Sequence, residues 1–208
     1  MKRLMISAHP EWVEKILNGE KTIEVRPWIP KGELPLEVLI YVAKRKPYLA
    51  YDGGCYDDAW GMSQSFYRYS LFDTKCELDS RDDNFVENCP PLNGKVVAKF
   101  ILNKAEEIIA FGDEEIIRKN RQILNMACLT PFQLNNYLKI DEANVFTRIV
   151  GYAWHIDDLE IFDEPKKLGE FYHYKKKLID CGMDCPPYID EVKVPLTKAP
   201  QKMVWVDD

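Results

Sequence analysis

Along its first half the chain changes hydrophobic period several times, and each change predicts an element. RLMIS, Arg3 to Ser7, is a short β-type run. HPEWVEKILNG follows, with Trp12, Val13, Ile16 and Leu17 forming one apolar stripe of a helix. Pro10 suits the first turn of that helix and Gly19 its C-terminal cap. KTIEVR then alternates, Ile23 and Val25 on one face and Thr22, Glu24 and Arg26 on the other, which is the period of a half-buried strand. LEVLIYVA, Leu36 to Ala43, and GKVVAKFIL, Gly94 to Leu102, are runs of β-branched and aromatic residues that predict buried strands.

The second half repeats these signals in a different order. DEEIIRKNRQILNMACL places apolar residues at Ile116, Ile117, Ile123, Leu124 and Ala127 behind an acidic first turn, a helix signature. TPFQLNNYL supplies Thr130 as N-cap and Pro131 as first residue of another helix. IVGYAWHIDDLEIF returns to strand character, EPKKLGEF predicts a turn into a short helical stretch reaching Lys177, and APQKMVWV predicts a final edge strand. Strands and helices do not alternate as in a doubly wound sheet, so the expected class is α+β, a small mixed or antiparallel β-barrel flanked by helices.

At 208 residues the chain suits a single domain, 1–208, with an insertion at about 48–93. Tyr51 to Pro90 shows no sustained period, is rich in aromatic residues, and carries nine acidic residues against three basic. That excess equals the net charge of −6 of the whole chain, so the remainder is balanced and can hold a positive site. The insertion is expected to be an extended surface hairpin, a lid, or a surface for a protein partner. No apolar run is long enough to span a bilayer, and Pro10 breaks the start before any signal-peptide pattern develops, so a cytoplasmic protein is expected. The six scattered cysteines are then expected as free thiols.

Candidate chemistry centres on Lys21, Glu24 and Arg26. Lys21 follows the predicted C-cap of the first helix, where carbonyl groups favour a cation, and Glu24 can sit beside Arg26 across the pleat. Left exposed, such a pair is a solvated strand face worth about 0–1 kcal/mol. Facing a cleft, arginine can grip a phosphate or base edge in fork geometry, and Trp28 or Tyr41 can offer a stacking plane. Lys44, in the basic cluster AKRKP, can hold backbone phosphate. His155 beside Trp154 is expected as a packing residue. Cys181 and Cys185, eight residues beyond His173, have a spacing that zinc tolerates, yet a second clear pair is absent, so no metal or other cofactor is expected.

The segment ISAHPEWVEKILNGEKTIEVR resembles the opening of the ASCH family, a branch of the PUA-like superfamily, through its G-x-K-x-x-E-x-R pattern: Gly19, Lys21, Glu24, Arg26. LIYVA, NGKVVAKF, GYAWHIDDLEIFDEPKKLGEF and APQ…W resemble, in order, segments of phage- and prophage-associated ASCH proteins. The resemblance implies a small β-barrel with a cleft beside the first helix, where Lys21, Glu24, Arg26 and Trp154 meet RNA or a nucleotide. A related amidohydrolase acting on acetylated cytidine resembles the chain at G-x-K-T-I, but its working threonine corresponds to Glu24. The expectations are therefore an RNA- or nucleotide-binding module; alternatively a hydrolase of an acylated nucleoside or of RNA, with Lys21 and Glu24 catalytic; alternatively a phage-encoded interaction factor.

Overall fold

A computed structural model of the chain describes residues 1–57, 63–74, 90–109, 114–138, 149–179 and 188–207. The predicted opening is present as β1 (Arg3–Ala8), α1 (Pro10–Leu17), β2 (Ile23–Arg26) and β3 (Leu36–Val42). Pro10 is the first residue of α1, and the helix stops where Gly19 turns left-handed at φ 75°, a conformation open to glycine at no steric penalty. The chain continues through β4 (Tyr48–Asp57), β5 (Ser63–Phe72), β6 (Lys95–Leu102) and β7 (Ala105–Ile109). Two helices follow, α2 (Glu114–Met126) and α3 (Pro131–Leu138). The last strands are β8 (Ile149–His155), β9 (Asp157–Lys167), β10 (Tyr172–Ile179), β11 (Tyr188–Pro195) and β12 (Met203–Trp205), with one 3-10 turn at Leu168–Glu170.

The strands form a five-stranded sheet in the order β12-β1-β3-β6-β9, a three-stranded sheet β2-β8-β7, and two hairpins, β4-β5 and β10-β11. Only β1 and β3 run parallel; every other pairing of the described residues is antiparallel. The α+β class agrees with expectation. The expected barrel is not what these pairings make: they divide the strands into two stacked sheets and two ribbons rather than one closed ladder.

Alternation along each strand assigns its residues to layers. Leu4, Ile6, Val38, Ile40 and Phe100 of the five-stranded sheet meet Val13 and Ile16 of α1 and Trp154 of β8 in a central core. Met5, Leu39, Tyr41 and Val96 face the other way, onto Phe171 and Leu196. Ala153, next to Trp154, points with Ile23, Val25 and Ile108 toward Ile123 of α2, Ala127 just past its end and Leu134 of α3. The three-stranded sheet is thus covered on both sides, and all four residues of β2 are buried. The half-buried strand expected from its alternating sequence is corrected here: two faces of different chemistry are both inside.

Thr130 caps α3 as expected, in a reciprocal pair with Gln133: Gln133 N–H donates to Thr130 Oγ1 at 3.2 Å and Thr130 N–H to Gln133 Oε1 at 2.9 Å. The helical stretch expected up to Lys177 is instead β10, paired residue for residue with β11 from Tyr172↔Pro195 to Ile179↔Tyr188. Local helix formers there yield to cross-strand pairing with a partner the local pattern does not reveal.

The aperiodic stretch contains β4 and β5, paired from Tyr48↔Phe72 to Asp57↔Ser63. Asn18, at the C-cap of α1, anchors this hairpin by donating to Tyr69 O at 2.9 Å and accepting from Tyr69 N–H at 2.8 Å. Residues 75–89, which carry much of the predicted acidic insertion, lie outside the described residues, as do Cys181 and Cys185. Among the described residues no helix is long and apolar enough to cross a membrane.

Candidate functional site

Arg26 and Glu24 share the face of β2 that looks between the sheets, and β8 places Trp154 directly opposite Glu24. Arg26 Nη2 lies 2.9 Å from Glu24 Oε1, and Lys21 Nζ lies 3.4 Å from Glu24 Oε2. All three are almost wholly buried, with exposures of 3% for Lys21 and 6% for Glu24 and Arg26. A buried charge survives only when paired and hydrogen-bonded, so this is not the solvated ion pair that the alternating pattern also allowed.

Lys21 donates to Ile23 O at 2.7 Å and to Ala127 O at 3.0 Å, besides facing Glu24. Ala127 lies just past the end of α2, so the helix that receives this cation is α2 and not α1, as its place in the chain suggested. The three donors of the ammonium are therefore all used within the protein. Burial lowers the pKa of Lys21, and Glu24 opposes that shift by favouring the charged form. Removing a proton would leave two for the two carbonyls but turn a lone pair toward the carboxylate. Lys21 accordingly fixes Glu24 and joins β2 to α2.

Arg26 is differently placed. Its Nη2 donates to Ser7 O at 3.1 Å, at the end of β1, and its Nε is buried with no hydrogen-bond partner in the protein. Lys21, Glu24 and Arg26 line a cleft of about 320 Å³ whose walls include His9 just before α1, Trp12 of α1, Gln133 and Tyr137 from α3, and Pro200 and Gln201 before β12. Tyr137 lines it while 42% exposed, and partial desolvation of its hydroxyl raises the pKa of that phenol. The ammonium of Lys21 sits 5.6 Å from the centre of the Trp12 ring. His9 precedes α1 without capping it, which leaves its ring against Arg45 Nη1 at 3.2 Å; burial, then Arg45, lowers its pKa.

The remaining candidates are placed elsewhere. Trp28 and Trp154 meet edge to face, with ring centres 5.2 Å apart, in the central core. Tyr41 packs on the opposite side of the five-stranded sheet. Lys44 lays its methylene stem over Gly94, whose φ of 86° and the closeness of that stem leave no room for a Cβ. None of these four lines the cleft. His155 Nε2 lies 2.6 Å from Glu106 Oε1. Among the described residues no three His, Cys, Asp or Glu gather as a metal site. Sequence reasoning missed His9, Gln133, Tyr137 and Gln201 as cleft residues; each lies inside a segment read for its element, and only APQ near the end carried a separate signal.

No protein-family model matches the chain, and no curated protein matches it significantly. Among solved structures it is similar to the crystal structure of ASCH from Zymomonas mobilis, at 16% identity and a TM-score of 0.49, over 98% of this chain and 87% of that one. It is likewise similar to two mutant forms of that protein, at 16% and 17% identity and a TM-score of 0.47, covering 99% and 98% of this chain and 90% and 87% of theirs.

Proposed function

We propose that the chain is a single PUA-like domain of ASCH type that binds RNA or a nucleotide by taking one base into the cleft floored by Glu24 and Arg26. The observation that carries this reading is Arg26: a cleft-lining guanidinium, buried, with one N–H left without a partner. A buried donor of that kind calls for an acceptor, and in this place a ligand atom can supply it. Glu24, held by Lys21 and Arg26, keeps lone pairs that accept N–H groups. A ligand offering an acceptor beside N–H donors matches both, as a nucleobase edge does, whereas a bare phosphate meets the Glu24 charge. The cleft volume falls in the range of small-molecule sites, and Trp12 provides a stacking wall.

Titration with the four nucleosides and with a single-stranded hexanucleotide tests the reading, followed by Trp fluorescence and calorimetry. Expected is saturable binding of at least one nucleoside, weakened tenfold or more by Glu24→Gln and by Arg26→Ala. Absence of binding, or equal binding by both variants, overturns it. The lowered pKa of Lys21 beside Glu24 favours a second reading, acid–base hydrolysis of an acylated nucleoside or of RNA. Mass analysis of the same ligands after incubation decides it: a product formed by the wild type and not by Lys21→Met makes the protein an enzyme.

A further inference from the structure

Beyond the cleft, the edge strand β12 runs into a second concave surface of about 1160 Å³. Its lining joins Lys2, Arg3 at the start of β1, Lys31 of the loop between β2 and β3, Tyr174 of β10, and Trp205 and Asp207. Arg3 is paired with Glu37, which leaves Lys2 and Lys31 against the single carboxylate of Asp207 on a chain whose net charge is −6. The Asp207 carboxylate sits near the Tyr174 hydroxyl and raises the pKa of that phenol. Lys2 and Lys31 are exposed, and Tyr174 and Trp205 present large aromatic surfaces to solvent, 56% and 37% exposed. Trp205 also leans on Gly32, 3.8 Å from where a Cβ would stand, which holds its ring beside Lys31.

The two sites are connected twice by short stretches of chain. Pro200 and Gln201 wall the cleft, and Met203 to Asp207 line the groove, so about 13 Å of extended chain separates Gln201 from Trp205. Arg26, at the end of β2, leads through the same loop to Lys31. We infer that this groove is a track for single-stranded RNA, in which Tyr174 and Trp205 stack the nucleotides flanking the base held in the cleft and Lys2 and Lys31 meet their phosphates. Exposed aromatics interleaved with cations are what sequence-tolerant single-strand binding requires, since every base has a stacking face and every linkage a charge. The inference rests on the proposed cleft function but is separable from it by experiment.

Affinities of a nucleoside, a dinucleotide, a tetranucleotide and a hexanucleotide of one sequence test the track. Expected is a gain of tenfold or more from nucleoside to tetranucleotide. Trp205→Ala with Tyr174→Ala removes that gain and leaves nucleoside affinity unchanged, and Trp205→Phe restores part of it. Lys2→Glu with Lys31→Glu, both at exposed positions, removes it without touching any packed side chain. The track is overturned, with the cleft reading intact, when the hexanucleotide binds no tighter than the nucleoside or when the gain survives both double variants. It is equally overturned when duplex RNA or polyglutamate binds the groove as tightly as the hexanucleotide. A length gain that persists in Glu24→Gln but vanishes in the groove variants supports the track and removes the cleft reading.

Discussion

Lys21 has three donors and three acceptors around it, and that balance decides what its loss does. Lys21→Ala leaves Ile23 O and Ala127 O without this donor and strands Glu24 beside Arg26 alone, in a site where all three side chains are nearly inaccessible. Breaking a buried pair on one side typically destabilises by about 3–5 kcal/mol. The expected result is a loss of that order in denaturant unfolding at neutral pH, with Lys21→Met losing less because its chain still fills the volume. A loss under about 1 kcal/mol would return Lys21 to the solvated role its sequence also permitted. The two-residue alternation did reveal that Glu24 and Arg26 share a face. It could not reveal that the face is roofed, because Tyr137 and Gln201 reach it from distant parts of the chain.

Among the elements, the tie between β7, β8 and α2 has an electrostatic centre. Glu106 lies within 2.9 Å of Lys104, 3.0 Å of Lys119 and 2.6 Å of His155. Hydrogen bonds from Lys104 first, then Lys119 and His155, bring its pKa down to about 2. A carboxylate depressed on folding contributes stability above its unfolded pKa, and that contribution is lost as pH falls from there toward about 2. Thermal melts of wild type and Glu106→Gln should therefore differ at pH 7 and converge through that acid window. A difference that stays constant with pH would assign the effect to packing instead. Long, strongly periodic elements such as β1, α1, β3 and β6 were legible because their own residues supply the pattern. The hairpins β4-β5 and β10-β11 were not, since each strand takes its identity from a partner and neither shows a sustained apolar face to the sequence.

For the molecule as a whole, charge is divided between regions: the stretch from Tyr51 to Pro90 equals the net acidity, and the rest is balanced. On the proposed reading, long-range attraction of RNA is then weak, and affinity rests on the few cations placed to touch phosphate. With Lys2 and Lys31 as the phosphate contacts, the logarithm of hexanucleotide affinity should fall against the logarithm of salt concentration with a slope of about −1.4. A slope several times steeper would point to a broader basic surface than this groove. The largest-scale feature legible in the sequence was the class, α+β with a terminal edge strand. Its division into two sheets was not, because sheet order depends on contacts between segments far apart in the chain.

The edge strand has one more consequence. β1 is flanked by β3 on one side and by β12 on the other, Leu4 facing Trp205 across nearly the whole length of the chain. During synthesis the outer side of β1 has no neighbour until its last partner leaves the ribosome, roughly 10 to 40 s later at 5–20 residues per second. Through that interval an apolar strand offers its open backbone to any passing chain, so the nascent protein is open to edge-to-edge pairing until β12 docks.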